Sequence, residues 1–189
     1  PEYKPTPLIQ LTNLSKKYNV GNIYLKDESH RFGLNAFKAL GASYAMYRQI
    51  EKNPQIKTFC TATDGNHGRA VAWSAKQFGC KAMIYMPKGT SKIRLDAVLE
   101  NNALAEITDF NYDETVTLSE NKALENSWIL LQDSSWKGYE EVPQNIMVGY
   151  STMVTELMDQ YSDWPTHVIV QAGVGSFAAA ILINMFNQS

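Results

Sequence analysis

From residue 57 onward the chain alternates between short, unbroken apolar runs and longer stretches with helical spacing, and few folds accept that pattern. Residues 57–63 (KTFCTAT) read as a buried strand. Residues 66–78 read as a helix with Ala70, Ala72, Trp73, Ala75 and Phe78 apolar and Gly79 as its stop. Residues 81–86 form the next strand, ended by Pro87. Ser91 can cap a helix running to about Asn101, and residues 105–108 give a short strand. A helix over 113–127 follows, with Asp113 and Glu114 suited to the positive end of its dipole, and then a strand over 128–132. The pattern continues with a helix over 143–161 broken near Gly149, a strand over 166–171, a glycine turn and a last helix from Ser176. Earlier in the chain, 22–26 suits a strand and 35–50 a helix, and the polar, proline-containing stretch 51–55 marks a boundary. Such alternation predicts an α/β fold with three layers, an open parallel sheet covered by helices on both faces.

Charge narrows the class of ligand. The formal net charge is −2, from 17 basic and 19 acidic residues, with no long basic run, so neither nucleic acid nor an anionic membrane is the expected partner. No apolar stretch reaches the ~18 residues needed to span a bilayer. A small molecule is the better default. The two cysteines, Cys60 and Cys80, form no disulfide framework and have no metal-ligand spacing. They point to reduced thiols in a cytoplasmic protein. The chain begins at Pro1 and stops within an apolar helical run, so it is expected to be a fragment of a longer polypeptide.

Four stretches carry groups that can do chemistry. In Asn35-Ala-Phe-Lys38-Ala-Leu-Gly41, Lys38 falls in the first turn of a helix, where the dipole disfavours a cation. A lysine there should have a lowered pKa, and the neutral amine is the form that makes a Schiff base. On position alone an exposed surface lysine is the default reading. Thr63-Asp-Gly-Asn-His-Gly68 lies between a strand and a helix, where ligands of open α/β sheets sit, and would present Asp64 and Asn66 there. A plain Asp-Gly turn with Asn66 as a cap explains that stretch equally well. His67 reads as structural or as support for another residue. Gln132-Asp-Ser-Ser-Trp136 again follows a strand and would bring Asp133 to the same crevice. Gln171-Ala-Gly-Val-Gly-Ser176 is a glycine turn feeding a helix start, which binds phosphate through backbone N–H groups. Gly173, Gly175 and Ala178 also match a dinucleotide-binding fingerprint, which leaves a nicotinamide-binding domain open. Together, an amine at a helix start, acids at two strand ends and a phosphate-sized turn are what pyridoxal phosphate requires, since it brings an aldehyde, a phosphate and an electron sink.

The motifs resemble a known family. Pyridoxal-phosphate lyases and dehydratases of the tryptophan-synthase-β type (fold type II) carry K-x-E, a Ser-Phe-Lys segment with the Schiff-base lysine, Ser-Gly-Asn-His and a glycine-rich phosphate loop. This chain has Lys26-Asp-Glu28, Phe37-Lys38, Gly65-Asn-His67 and Gly173-Val-Gly175 in that order. Serine and threonine dehydratases have Ser where Asp64 stands, and Gly-Ser-Phe-Lys where this chain has Asn35-Ala-Phe-Lys38. The combination of Asp64 with Arg31-Phe-Gly-Leu-Asn35, Tyr85-Met-Pro-Lys-Gly89 and Gln171-Ala-Gly-Val-Gly175 is similar to the diaminopropionate ammonia-lyases.

The resemblance implies a set of roles. Lys38 would hold pyridoxal 5'-phosphate and act as a base at Cα. Asp64 would be the second acid/base on the opposite face, so that both enantiomers of 2,3-diaminopropionate could be deprotonated. Asn66 would bond the ring hydroxyl, and Ala172, Gly173, Val174, Gly175 and Ser176 would hold the phosphate. Asp133 would help bind an amino-acid substrate whose extra ammonium suits two acids. The implied activity is α,β-elimination to pyruvate and ammonia in amino-acid catabolism, in a full-length homodimer. The implied organisation is a small α/β domain over 57–142, with 1–56 and 143–189 belonging to an incomplete large domain. A related serine/threonine dehydratase, a threonine-synthase-like enzyme and an inert binding module are the other readings. A residue facing the ring nitrogen is expected beyond Ser189.

Overall fold

The computed structural model describes residues 3–186. Its centre is a four-stranded sheet in the order β5-β4-β3-β6, formed by β3 (Thr58–Ala62), β4 (Lys81–Met86), β5 (Leu104–Ile107) and β6 (Ile129–Leu130). All three pairings are parallel, as the alternation predicts. The crossovers are α3 (Asn66–Gln77), α4 (Lys92–Leu99) and α5 (Tyr112–Asn126). Period-two alternation on the strands serves two layers. Phe59, Ala82, Ile84 and Met86 pack with Ala70, Val71 and Ala75 of α3, while Cys60 and Tyr85 pack with Ala123 of α5. Asn111 and Glu114 close a capping box at the start of α5, which fixes that boundary.

The order of strands reverses at β3. The chain runs outward from β3 through β4 to β5, then returns to place β6 on the other side of β3. The C-terminal ends of β3 and β6 are therefore neighbours, the place in an open parallel sheet where ligands sit. Gln132 fastens this junction. Its side-chain oxygen accepts from the Thr61 hydroxyl at 2.8 Å and the Ala62 N–H at 3.1 Å, and its amide donates to the Tyr112 hydroxyl at 3.1 Å.

The remaining helices are α1 (Thr12–Tyr18), α2 (Lys38–Lys52), α6 (Glu141–Gln160) and α7 (Ser176–Phe186). α2 packs against α3 and α6, and α6 against α7. A short antiparallel pair, β1 (Leu8–Gln10) with β2 (Tyr24–Lys26), precedes them. A buried ion cluster ties this N-terminal part to α6. The Arg31 side chain is fully enclosed and binds Glu156 at 2.7 Å and Glu28 at 2.8 Å, while Lys26 reaches Glu156 at 2.6 Å. Tyr3 and the Thr6 N–H donate to the same Glu156 carboxylate, at 2.7 and 3.0 Å. The Lys26-Asp-Glu28 motif thus serves a structural cluster here.

Three sequence expectations change. The helix expected from 35 starts at Lys38 with Phe37 as its cap, because Asn35 adopts a positive φ of 53° that a right-handed helix does not accept. No break occurs at Gly149. α6 is continuous there, and the glycine lets it approach α2, where a Cβ would lie 2.4 Å from the Leu40 carbonyl oxygen. The strand over 166–171 does not form. No described strand lies beside it to take its hydrogen bonds, and Ile169 is 97 % exposed.

Candidate active site

The residues that leave β3 and β6 and the starts of three helices meet at Asp133. This carboxylate is 3 % exposed and forms an ion pair with Lys38, the first residue of α2. The Lys38 side chain keeps 21 % of its surface. His67, at the start of α3, brings Nδ1 to 3.7 Å from the Asp133 carboxylate. Ser176, at the start of α7, donates its hydroxyl to the Asp133 backbone carbonyl. The sequence leaves α2, α3 and α7 unrelated in direction, whereas the fold aims their N-termini at one acid.

Local chemistry sets each part. The Thr63 hydroxyl accepts from the N–H groups of Gly65 (3.0 Å) and Gly68 (3.2 Å), which bends the chain off β3 into α3. Gly68 is required for contact, since a Cβ there would sit 2.4 Å from Thr63 Cγ2. Arg69 donates to the Leu34 carbonyl at 2.7 Å, so α3 also holds the segment that delivers Lys38. Arg94 of α4 donates to the Asp64 carbonyl at 3.1 Å. Asp64 and Asn66 are exposed, in contrast to Asp133. Asp64 forms no ion pair with Lys38 among the described residues; both Asp133 and Asp64 act on the half-buried Tyr112 phenol, whose pKa burial and these charges push up to about 12.

Charges in the site are unevenly compensated. Burial works to raise the Asp133 pKa, but His67, Lys38 and the Lys38 hydrogen bond outweigh it and hold the carboxyl below the ordinary range. Burial pushes His67 the other way, below its ordinary value, despite the pull of Asp133. Burial thereby favours the neutral form of His67, and where it is neutral Lys38 alone supplies the charge that balances Asp133 and lowers its pKa.

The donor set fits pyridoxal phosphate. One amine stands at a helix start, paired with a single carboxylate. The turn at Ala172, Gly173, Val174, Gly175 and Ser176 opens onto the first N–H groups of α7, which have no partner within the helix. Gly175 has φ of +96°, and nothing lies within 4 Å of where a Cβ on Gly173 or Gly175 would stand, so a ligand can approach the backbone. The structure brings Lys38, Asp133 and Ser176 together as a unit. Sequence reasoning underrated His67, because flanking glycines say nothing of where an imidazole points.

The family model for pyridoxal-phosphate dependent enzymes matches residues 1–185. The chain belongs to this family. A diaminopropionate ammonia-lyase from Salmonella typhimurium is 46% identical over 96% of this chain and 51% of its own length. A crystal structure of diaminopropionate ammonia-lyase from Escherichia coli, in complex with an aminoacrylate-PLP azomethine reaction intermediate, superposes with a TM-score of 0.92 at 46% identity. That match covers 95% of this chain and 50% of the crystallised one. A biosynthetic L-threonine dehydratase from Haemophilus influenzae is 34% identical over 96% of this chain and 34% of its own length. The chain spans about half the length of the ammonia-lyases it matches. Among these pyridoxal-phosphate enzymes the nicotinamide reading of the 173–178 turn has no place.

Proposed function

We propose that the full-length protein is a diaminopropionate ammonia-lyase that converts 2,3-diaminopropionate and water to pyruvate and two ammonia, with pyridoxal phosphate bound at Lys38. The observation that carries the reading is the joining of Lys38 and of Ser176, which closes the α7 glycine turn, at the buried Asp133, with the further acid Asp64 exposed on the turn that leaves β3. When bound, the cofactor supplies an aldehyde for amines and an electron sink for the pair left at Cα. Ala172–Ser176 would hold its phosphate by backbone N–H groups, and Asn66, at the start of α3, its ring hydroxyl. Lys38 would take the Cα proton from one side and Asp64 from the other. Such groups typically give ~10²–10⁴ in rate each. Asp133 and Asp64 together would attract the β-ammonium, which a serine at 64 could not do by charge. The identity to the ammonia-lyases supports this substrate over a hydroxy amino acid.

The same reading includes organisation. Residues 57–142 would be a small α/β domain, and 1–56 with 143–189 would belong to a large one. The cluster of Lys26, Glu28 and Arg31 with Glu156 supports grouping those two flanking parts. A cytoplasmic homodimer acting in amino-acid catabolism completes the proposal on family resemblance; no described helix is long and apolar enough to cross a membrane.

The test is product stoichiometry with the purified full-length protein. With 2,3-diaminopropionate we expect two ammonia per pyruvate and a far higher kcat/KM than with serine or threonine. Faster turnover of serine or threonine, with one ammonia per keto acid, would move the assignment to a dehydratase.

A further inference from the structure

His67 holds an unused acceptor against the central acid. Its Nε2 lies 2.7 Å from the Leu131 carbonyl oxygen, which can only accept, so Nε2 carries the proton. In the neutral ring Nδ1 is then a bare lone pair. It is buried, has no hydrogen-bond partner, and faces Asp133 Oδ2 at 3.7 Å. The same oxygen accepts from Lys38. Asp133 Oδ2 is thus flanked by a donor on one side and an empty acceptor on the other. Two acceptors facing each other without a proton is an arrangement a fold keeps at a cost, and it becomes favourable once Oδ2 is protonated.

We propose that His67 is a positioning residue that frees the Lys38 amine, by accepting a hydrogen bond from Asp133 when Asp133 takes the lysine proton. The step is balanced. An N–H bond of the Lys38 ammonium breaks, its electron pair stays on nitrogen, and an O–H bond forms on Asp133 Oδ2. The net charge of the three groups is unchanged. Two buried charges become a neutral amine and a neutral acid, an exchange that low-dielectric surroundings favour as a ligand removes the last water from Lys38. The acid then donates to His67 Nδ1. The other titratable groups around Asp133 are Tyr112 of α5, Tyr139 after β6 and Tyr150 of α6, all phenols held neutral by burial, and the exposed Asp64, which also acts on Tyr112 but forms no ion pair with Lys38 among the described residues. This deepens the proposed function and rests on its cofactor lysine.

The test uses full-length apoprotein mixed with pyridoxal phosphate, following the absorbance of lysine-bound cofactor against pH. His67→Gln can keep a donor for Leu131 but lacks Nδ1. We expect it to load about tenfold more slowly near neutral pH, the loss of one hydrogen bond of ~1.4 kcal/mol. The gap should close in strongly alkaline solution, where hydroxide is the base that Asp133 otherwise provides. Equal loading rates, or a deficit unchanged by pH, overturns the proposal. ¹⁵N NMR of the histidine ring nitrogens in the wild type decides the matter even if the variant fails to fold. A bare Nδ1 that becomes hydrogen-bonded once borohydride has fixed the cofactor to Lys38 supports the proposal. A protonated Nδ1 before loading, or an unchanged signal after it, overturns it. If wild type gains no absorbance that depends on Lys38, the cofactor reading itself fails and the proposal with it.

Discussion

At the residue scale, the site contains two acids in opposite surroundings. Asp133 is buried and paired with Lys38, whereas Asp64 is exposed on a turn held by Arg94. An exposed acid suits proton exchange with solvent, and a buried one suits holding a charge in place. Asp64→Asn is therefore expected to reduce turnover of one enantiomer of 2,3-diaminopropionate by ~10²–10⁴ while leaving the other within about tenfold, as read by pyruvate release from each pure enantiomer. Equal losses for both would place Asp64 outside proton transfer. Lys38, Asp64, Asn66, Asp133 and the glycine turn were all legible as candidates, because each follows a strand or opens a helix. What the sequence hid was pairing. That Lys38 would meet Asp133, 95 residues later, depends on β6 lying beside β3, and that His67 would expose Nδ1 depends on the Leu131 carbonyl.

At the element scale, the strands and helices from 57 to 132 were readable because local punctuation agrees with the fold. Gly79 and Pro87 bracket β4, and each strand run is too short and too apolar to be a surface helix. Two elements escaped for tertiary reasons. Residues 166–171 have strand composition, but a strand needs a neighbour for its N–H and C=O groups, and none of the described strands lies beside them. Gly149 looks like a helix breaker and is a close-contact residue instead. Gly41 is its counterpart on α2, where a Cβ would come within 2.6 Å of the Tyr150 ring. Gly149→Ala is expected to destabilise the protein by about 1–3 kcal/mol or more, because the obstacle is backbone and cannot rotate away. Urea unfolding of the variant measures it; an unchanged or raised midpoint would mean that α2 and α6 can separate without loss.

At the scale of the whole molecule, a buried ion cluster joins the first thirty or so residues to α6. Glu156 accepts from Arg31, Lys26, Tyr3 and the Thr6 N–H; burial would raise its pKa, and these hydrogen bonds lower it to about 2. Glu156→Gln would leave the Arg31 charge half-compensated and is expected to cost about 3–5 kcal/mol in denaturant unfolding. A loss below ~1 kcal/mol would show that the cluster is not a clamp. The pH dependence has a defined sign. Glu156 is lowered in the folded state, so its contribution is present above its unfolded value of ~4.3 and is lost as pH falls towards about 2. His67 is also lowered, so its contribution is complete above ~6.5 and declines as pH drops below that. Stability should therefore fall in two stages on acidification, and His67→Gln should flatten the first stage alone. The central claim is that Lys38 carries the cofactor of an ammonia-lyase. The most direct measurement is the absorbance spectrum of full-length wild type beside Lys38→Ala, each with pyridoxal phosphate and then with 2,3-diaminopropionate. The expected result is a visible cofactor band and pyruvate in the wild type, with the lysine-dependent band and the pyruvate both lost in Lys38→Ala. An identical spectrum and undiminished pyruvate in Lys38→Ala would contradict it.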